Sequence, residues 1–150
     1  MASVLSACTS PEDRLKSQFD TLPQVDSTLL YEYSAAYSSA TGDCGGTFQD
    51  RWYGTSMSTE DVEKLYSDYL SRNGWIIWPE EVVEIWSRES DDGLYRIGVD
   101  VFPNSVEISQ EQGDYQLPAS VLVEASQYQT IYSLNMTYKT LYAAKKCFGH

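Results

Sequence analysis

Apolar residues recur at Val62, Leu65, Tyr66, Tyr69 and Leu70, the i, i+3, i+4, i+7, i+8 spacing that turns one stripe of a helix toward a core. Glu60, Glu63, Lys64, Asp68 and Arg72 fall outside that stripe. Ser58 stands where a cap is needed, Asp61 follows three residues on, and Met57 and Val62 hold the two positions of a hydrophobic staple. Asn73-Gly74 supplies a left-handed stop, so the pattern predicts a helix over 59–72. A shorter helix over 11–20 follows from Ser10 as cap, Pro11 at the first helical position and acid at Glu12 and Asp13, with Leu15, Phe19 and Leu22 as its apolar side.

Elsewhere the period falls to two. Tyr31, Tyr33, Ala35 and Tyr37 alternate within 28–37, and Phe48, Trp52 and Tyr53 lie in a β-rich run over 47–55. Residues 75–78 read as a short strand closed by Pro79. Asp91-Asp92-Gly93 between the runs 82–86 and 94–102 is a hairpin signal, with Tyr95, Ile97, Val99 and Val101 on its inner face. A helix opened by Pro79, with Glu84 bridging Arg88, competes for the first run, but the β-branched Val82, Val83 and Ile85 favour a strand. Residues 103–118 read as a loop, and Tyr132, Leu134, Met136 and Tyr138 alternate in a last strand. The sum is an α+β chain: a mainly antiparallel sheet of about five to six strands with one amphipathic helix packed on one face. Residues 28–150 form a single domain, and 9–27, polar and holding Pro11 and Pro23, read as a tether carrying the short helix.

Composition narrows the partners. The 150 residues are 42% hydrophobic and 13% aromatic, enough to fold as one domain with a core of its own. A formal charge of -12 argues against nucleic acid or an anionic bilayer surface as the main partner. The acids concentrate in 80–124, a candidate docking surface, whereas 125–150 hold none and carry Lys139, Lys145 and Lys146. No run of apolar residues is long enough to span a membrane as a helix.

No catalytic constellation emerges. His150 stands alone at the end of the sequence, without the rigid support that general-base chemistry needs. Gly42-Asp43-Cys44-Gly45-Gly46 lacks the lysine and the glycine spacing of a phosphate loop, and reads as the turn between the first two strands. The acids follow no calcium-loop alternation, the cysteines follow no CxxC spacing, and neither metal nor cofactor is expected. Aromatic residues are the remaining lead. Trp78 and Trp86, out of phase with the apolar residues beside them, and Tyr53 make a candidate binding face, weighed against burial in the core.

The cysteines carry the address. Leu5-Ser6-Ala7-Cys8 resembles the lipobox of bacterial lipoproteins, in which small residues precede the cysteine that receives lipid. The five residues before Ser6 are too few for a secretory signal, so either residues 1–8 are the remnant of a shortened signal or the match is a coincidence. The helix Ser58-Thr59-Glu60-Asp61-Val62 through Leu65-Tyr66, Tyr69-Leu70 and Gly74-Trp75, set between strands, is similar to one in small bacterial lipoproteins. The resemblance implies lipid on Cys8 and an extracytoplasmic, membrane-attached position, and carries no catalytic residue with it. Cys44 and Cys147 then remain as a candidate disulfide, or as two buried thiols. The leading expectation is a lipid-anchored, non-catalytic accessory or stabilising subunit of a membrane-associated assembly with a protein partner. A cell-envelope glycan-binding module and a small carboxylate-dependent hydrolase compete with it.

Overall fold

The computed structural model describes residues 9–23, 26–38, 45–78, 84–104 and 117–148. The elements run α1 (Pro11–Phe19), β1 (Ser27–Tyr37), β2 (Gly46–Thr55), α2 (Thr59–Arg72), β3 (Ile76–Ile77), β4 (Ile85–Ser90), β5 (Gly93–Phe102), α3 (Ala119–Ala125), β6 (Thr130–Lys139) and α4 (Leu141–Phe148). Among the described residues six strands make one open sheet in the order β1-β2-β6-β5-β4-β3, every pairing antiparallel. This is the expected α+β class.

The local signals that set the two N-terminal helices are visible as hydrogen bonds. The Asp13 N–H donates to Ser10 Oγ at 3.1 Å and the Asp61 N–H to Ser58 Oγ at 3.2 Å. Gly74, at φ 79°, takes the left-handed conformation that ends α2, and the Trp75 N–H returns to the Leu70 carbonyl at 3.1 Å. Trp75 is thereby turned into the core.

Alternation gives the sheet two different faces. The front face presents Tyr95, Ile97, Tyr132, Leu134, Met136 and Tyr138, on which α1 packs Leu15 and Phe19 and α2 packs Val62, Tyr66 and Leu70. Leu65 is only half-buried at the margin of the α2 stripe. The segment read as a tether is thus a wall of the domain through α1, since Leu15, Phe19 and Leu22 belong to the main core. Arg51 lies under α1, its guanidinium 4.5 Å from the Phe19 ring and its Nε 2.6 Å from the Glu32 carboxylate.

The rear face is covered by helices that the periodicity did not single out. Trp52, Phe102 and Ile131 meet Leu117, Val121 and Ala125 of the α3 region in a second core, with Tyr128 seated on Gly54, where a Cβ would stand 2.3 Å from its ring. The helix α4 packs on β5 and β6. The expected loop over 103–118 lies mostly outside the described residues.

Burial ranks the α2 positions. Leu70→Ala should cost about 2–5 kcal/mol, because a fully buried side chain leaves a cavity. Leu65→Ala should cost clearly less, and Ser58→Ala about 1 kcal/mol through the lost cap. Urea midpoints check the order, and equal losses at Leu65 and Leu70 would contradict it.

Candidate functional site

Trp78, Trp86 and Tyr53 do not share a face. Trp86 pairs with Ile97, so it points forward and is buried; it was expected to be exposed, and the register of β4 on β5 overrides that phase. With Tyr66 and Val99 it lines a cavity of about 600 Å3 between α2 and the β4–β5 hairpin, whose rim carries Glu60, Glu63 and Glu84. Tyr53 is half-buried on the front face, stacked on Tyr132 with ring centroids 5.1 Å apart.

Trp78 belongs to the rear. It follows β3, its N–H donates to the Ile85 carbonyl at 2.9 Å, and the Arg96 guanidinium lies 5.5 Å from its ring. Beside it a groove of about 520 Å3 runs between the β3–β4 edge and α4, lined by Leu94, Leu141 and Ala144, with Ile76 at its mouth and Arg88, Glu89 and Lys145 around it. The groove opens onto the outer strand β3, where Ile76 is 69% exposed, and the neighbouring helix turns Tyr142 outward. At the opposite edge Leu29 and Tyr33 of β1 are exposed. Among the described residues the large exposed apolar side chains lie on these outer strands and on the rear-face helices α3 and α4.

Sequence reasoning passed over two carboxylates. Asp50 looks like an outward polar residue of β2, yet it is buried on the rear face, where Asn135 Nδ2 donates to Oδ1 at 3.0 Å. Burial raises its carboxyl above the ordinary range, the Asn135 bond opposes that rise, and the Asp100 charge adds to it. The second, Asp92, joins four elements at the β4–β5 turn. Tyr95 Oη donates to it at 2.7 Å, Ser90 and Arg14 of α1 also donate to its carboxylate, and Tyr138 Oη donates to its carbonyl at 2.8 Å. Burial opposes the charge on Asp92, but the bonds from Ser90, Tyr95 and Arg14 outweigh it and bring the carboxyl down to about 2.

Cys147, in α4, is disulfide-bonded. Cys8 and Cys44 lie outside the described residues. The strands β1 and β2, between which Cys44 falls in sequence, meet at the end of the sheet where Thr47 pairs with Tyr138, one residue before β6 ends and two before α4 is capped by Thr140. No family model, no curated protein and no solved structure matches this chain.

The Asp92 lock sets a pH dependence. A carboxyl held at about 2 in the fold, against about 3.9 in the unfolded chain, contributes stability above pH 4 that is lost as pH falls toward 2. The side chain is 33% exposed, which reduces the contribution to about 1–2 kcal/mol. Asp92→Asn should lose that amount at pH 7, and the gap from the parent should close on acidification; a gap independent of pH would remove the carboxylate from the account.

Proposed function

We propose that this chain is a lipid-anchored, extracytoplasmic, non-catalytic accessory subunit of a membrane-associated protein assembly, and that the groove beside Trp78 takes a segment of its protein partner. The observation that carries the reading is that groove: an apolar trough at the edge of the sheet, with a tryptophan in its wall and an exposed isoleucine at its mouth. Side chains of this kind anchor interfaces once water is excluded, and covering one isoleucine contributes about 1.5–3 kcal/mol. A partner segment that inserts apolar side chains fits, because the trough lies open beside the outer strand β3 among the described residues.

The disulfide at Cys147 supports the address, since such bonds persist in oxidising compartments outside the cytoplasm. A pairing with Cys44 is supported by the start of α4 at the end of the sheet where β1 passes to β2, and it would fasten residues 39–44 to the final helix. Lipid on Cys8 attaches the body closely, because only Thr9 and Ser10 separate that residue from α1. The β4–β5 turn, locked to α1 through Arg14, then faces the bilayer.

Three variants of the protein expressed with a complete export signal test this. Cys8→Ser should move the protein from the membrane to the soluble fraction, because diacylglycerol and a further chain bury many methylenes at about 0.8 kcal/mol each. Trp78→Ala should remain in the membrane fraction but leave the large complex when detergent-solubilised membranes are sized. Cys44→Ser should lower the melting temperature as much as reduction does, with no further loss on adding Cys147→Ser; a loop of about one hundred residues gives an upper figure of roughly 4.7 kcal/mol. Membrane retention of Cys8→Ser, free of any complex, would count against the anchor; an unchanged complex with Trp78→Ala would count against the groove.

A further inference from the structure

The edge of the sheet away from the groove is a different kind of surface. Strand β1 is eleven residues long, and among the described residues no strand lies on its outer side. Its register on β2 shifts once, between Leu29 and Tyr31, and from Tyr31 to Tyr37 it pairs without interruption, Tyr31 opposite Trp52 and Tyr37 opposite Gly46. The outer side of that stretch is a row of backbone donors and acceptors that another strand can satisfy. Edge strands are ordinarily protected by lysine, proline or an inward charge; residues 31–37, Tyr-Glu-Tyr-Ser-Ala-Ala-Tyr, hold no lysine and no proline. Their one charge, Glu32, is engaged by Arg51 of the neighbouring strand.

We infer that β1 pairs antiparallel with β1 of a second copy of this chain, across a two-fold axis at Ser34, so that two sheets become one. Ser34 is the midpoint of the uninterrupted stretch, and pairing centred there uses all of it. The side chains then complement themselves. On the rear face Tyr33 comes opposite the small Ala35 of the second copy and Tyr31 opposite Tyr37, a large-small and an aromatic pair. On the front face Glu32 meets Ala36, and the two Ser34 side chains meet at the axis. A register centred on Glu32 would set two carboxylates directly opposite each other, which is destabilising. The Ser34 register instead separates them by four residues along the strand, roughly 13 Å, beyond the Debye length of about 8 Å at physiological salt. The exposed Tyr33 is covered in the process.

The same logic selects the occupant. An isologous contact closes after two copies, whereas addition of β1 to the two-residue β3 edge of another copy would continue without limit and satisfy few backbone groups. The Trp78 groove stays open in the pair, one on each outer flank, so this contact does not depend on the partner reading above. Each copy carries a formal charge of -12, so mutual repulsion weakens the pair at low ionic strength and screening strengthens it.

Sedimentation equilibrium of the disulfide-bonded protein carrying Cys8→Ser, which keeps lipid off the chain, at up to about 100 μM tests the inference, a range that reveals dissociation constants in the micromolar region. The expected result is twice the 17.0 kDa chain mass, with the dissociation constant falling as salt is raised. Ser34→Lys and Ser34→Glu, at an exposed position, each set like charges together at the axis and should raise the dissociation constant at least about tenfold. An equimolar mixture of the two should recover a heterodimer. Recovery shows that both variants are folded; circular dichroism of each alone provides the second check. A chain that stays monomeric throughout, a dimer indifferent to both Ser34 variants, or folded variants that fail to recover on mixing would overturn the proposal.

Discussion

The last strand of the sequence lies in the middle of the sheet. β6 pairs with β2 on one side and β5 on the other, and most of its residues on both faces are buried. A strand in that position needs cover front and back. The front is met by α1 and α2 on Leu134, Met136 and Tyr138; the rear is met by α3 and α4, either side of a polar strip that includes Asp50 and Asn135. The burial of Tyr132 adds a further requirement. Its phenol lies within the front core and donates to Ser27 Oγ at 2.9 Å while accepting from Tyr66 Oη at 3.3 Å, so β6, β1 and α2 are joined by a chain of hydroxyl groups.

How far the fold was legible in the sequence depends on how much of each element's information is local. The helix α2 was legible at both ends because cap, staple and glycine stop are neighbours in sequence; Leu65 lost rank because the stripe is centred on Val62, Tyr66 and Leu70. The helix α3 has seven residues, no side-chain cap and two valines, too little for a period to declare itself. The helix α4 did carry a signal, Thr140, whose Oγ1 accepts from the Ala143 N–H at 3.3 Å, but it follows β6 so closely that the alternation masked it. Trp86 shows the other limit. Its face is decided by pairing with Ile97, a partner eleven residues away, and not by the residues beside it. Asp50 shows the same limit among candidate site residues: an acid in an alternating strand looks solvated, and only the folded rear face buries it.

The two edges of the sheet expose apolar surfaces of different kinds. The β3 side has a short strand and a deep groove with tryptophan in its wall, suited to holding side chains. The β1 side has a long strand and little depth, suited to sharing backbone hydrogen bonds. Between them, the locks made by Arg14 on Asp92 and by Arg51 on Glu32 hold α1 and β1 to the sheet, so the surfaces at both edges are borne on a continuous body.

The central place of β6 also dictates an order of events. A chain emerging from its amino end completes β1 with β2, and then the β3–β4–β5 meander, as two separate half-sheets, each with an inner edge unsatisfied. Those edges can be joined only when residues 130–139 arrive, by an insertion between strands made much earlier. Until then the chain has two ribbons and no finished sheet. A form clipped before residue 130 is therefore a substrate for holding factors and proteases, and the commitment to fold is made by β6.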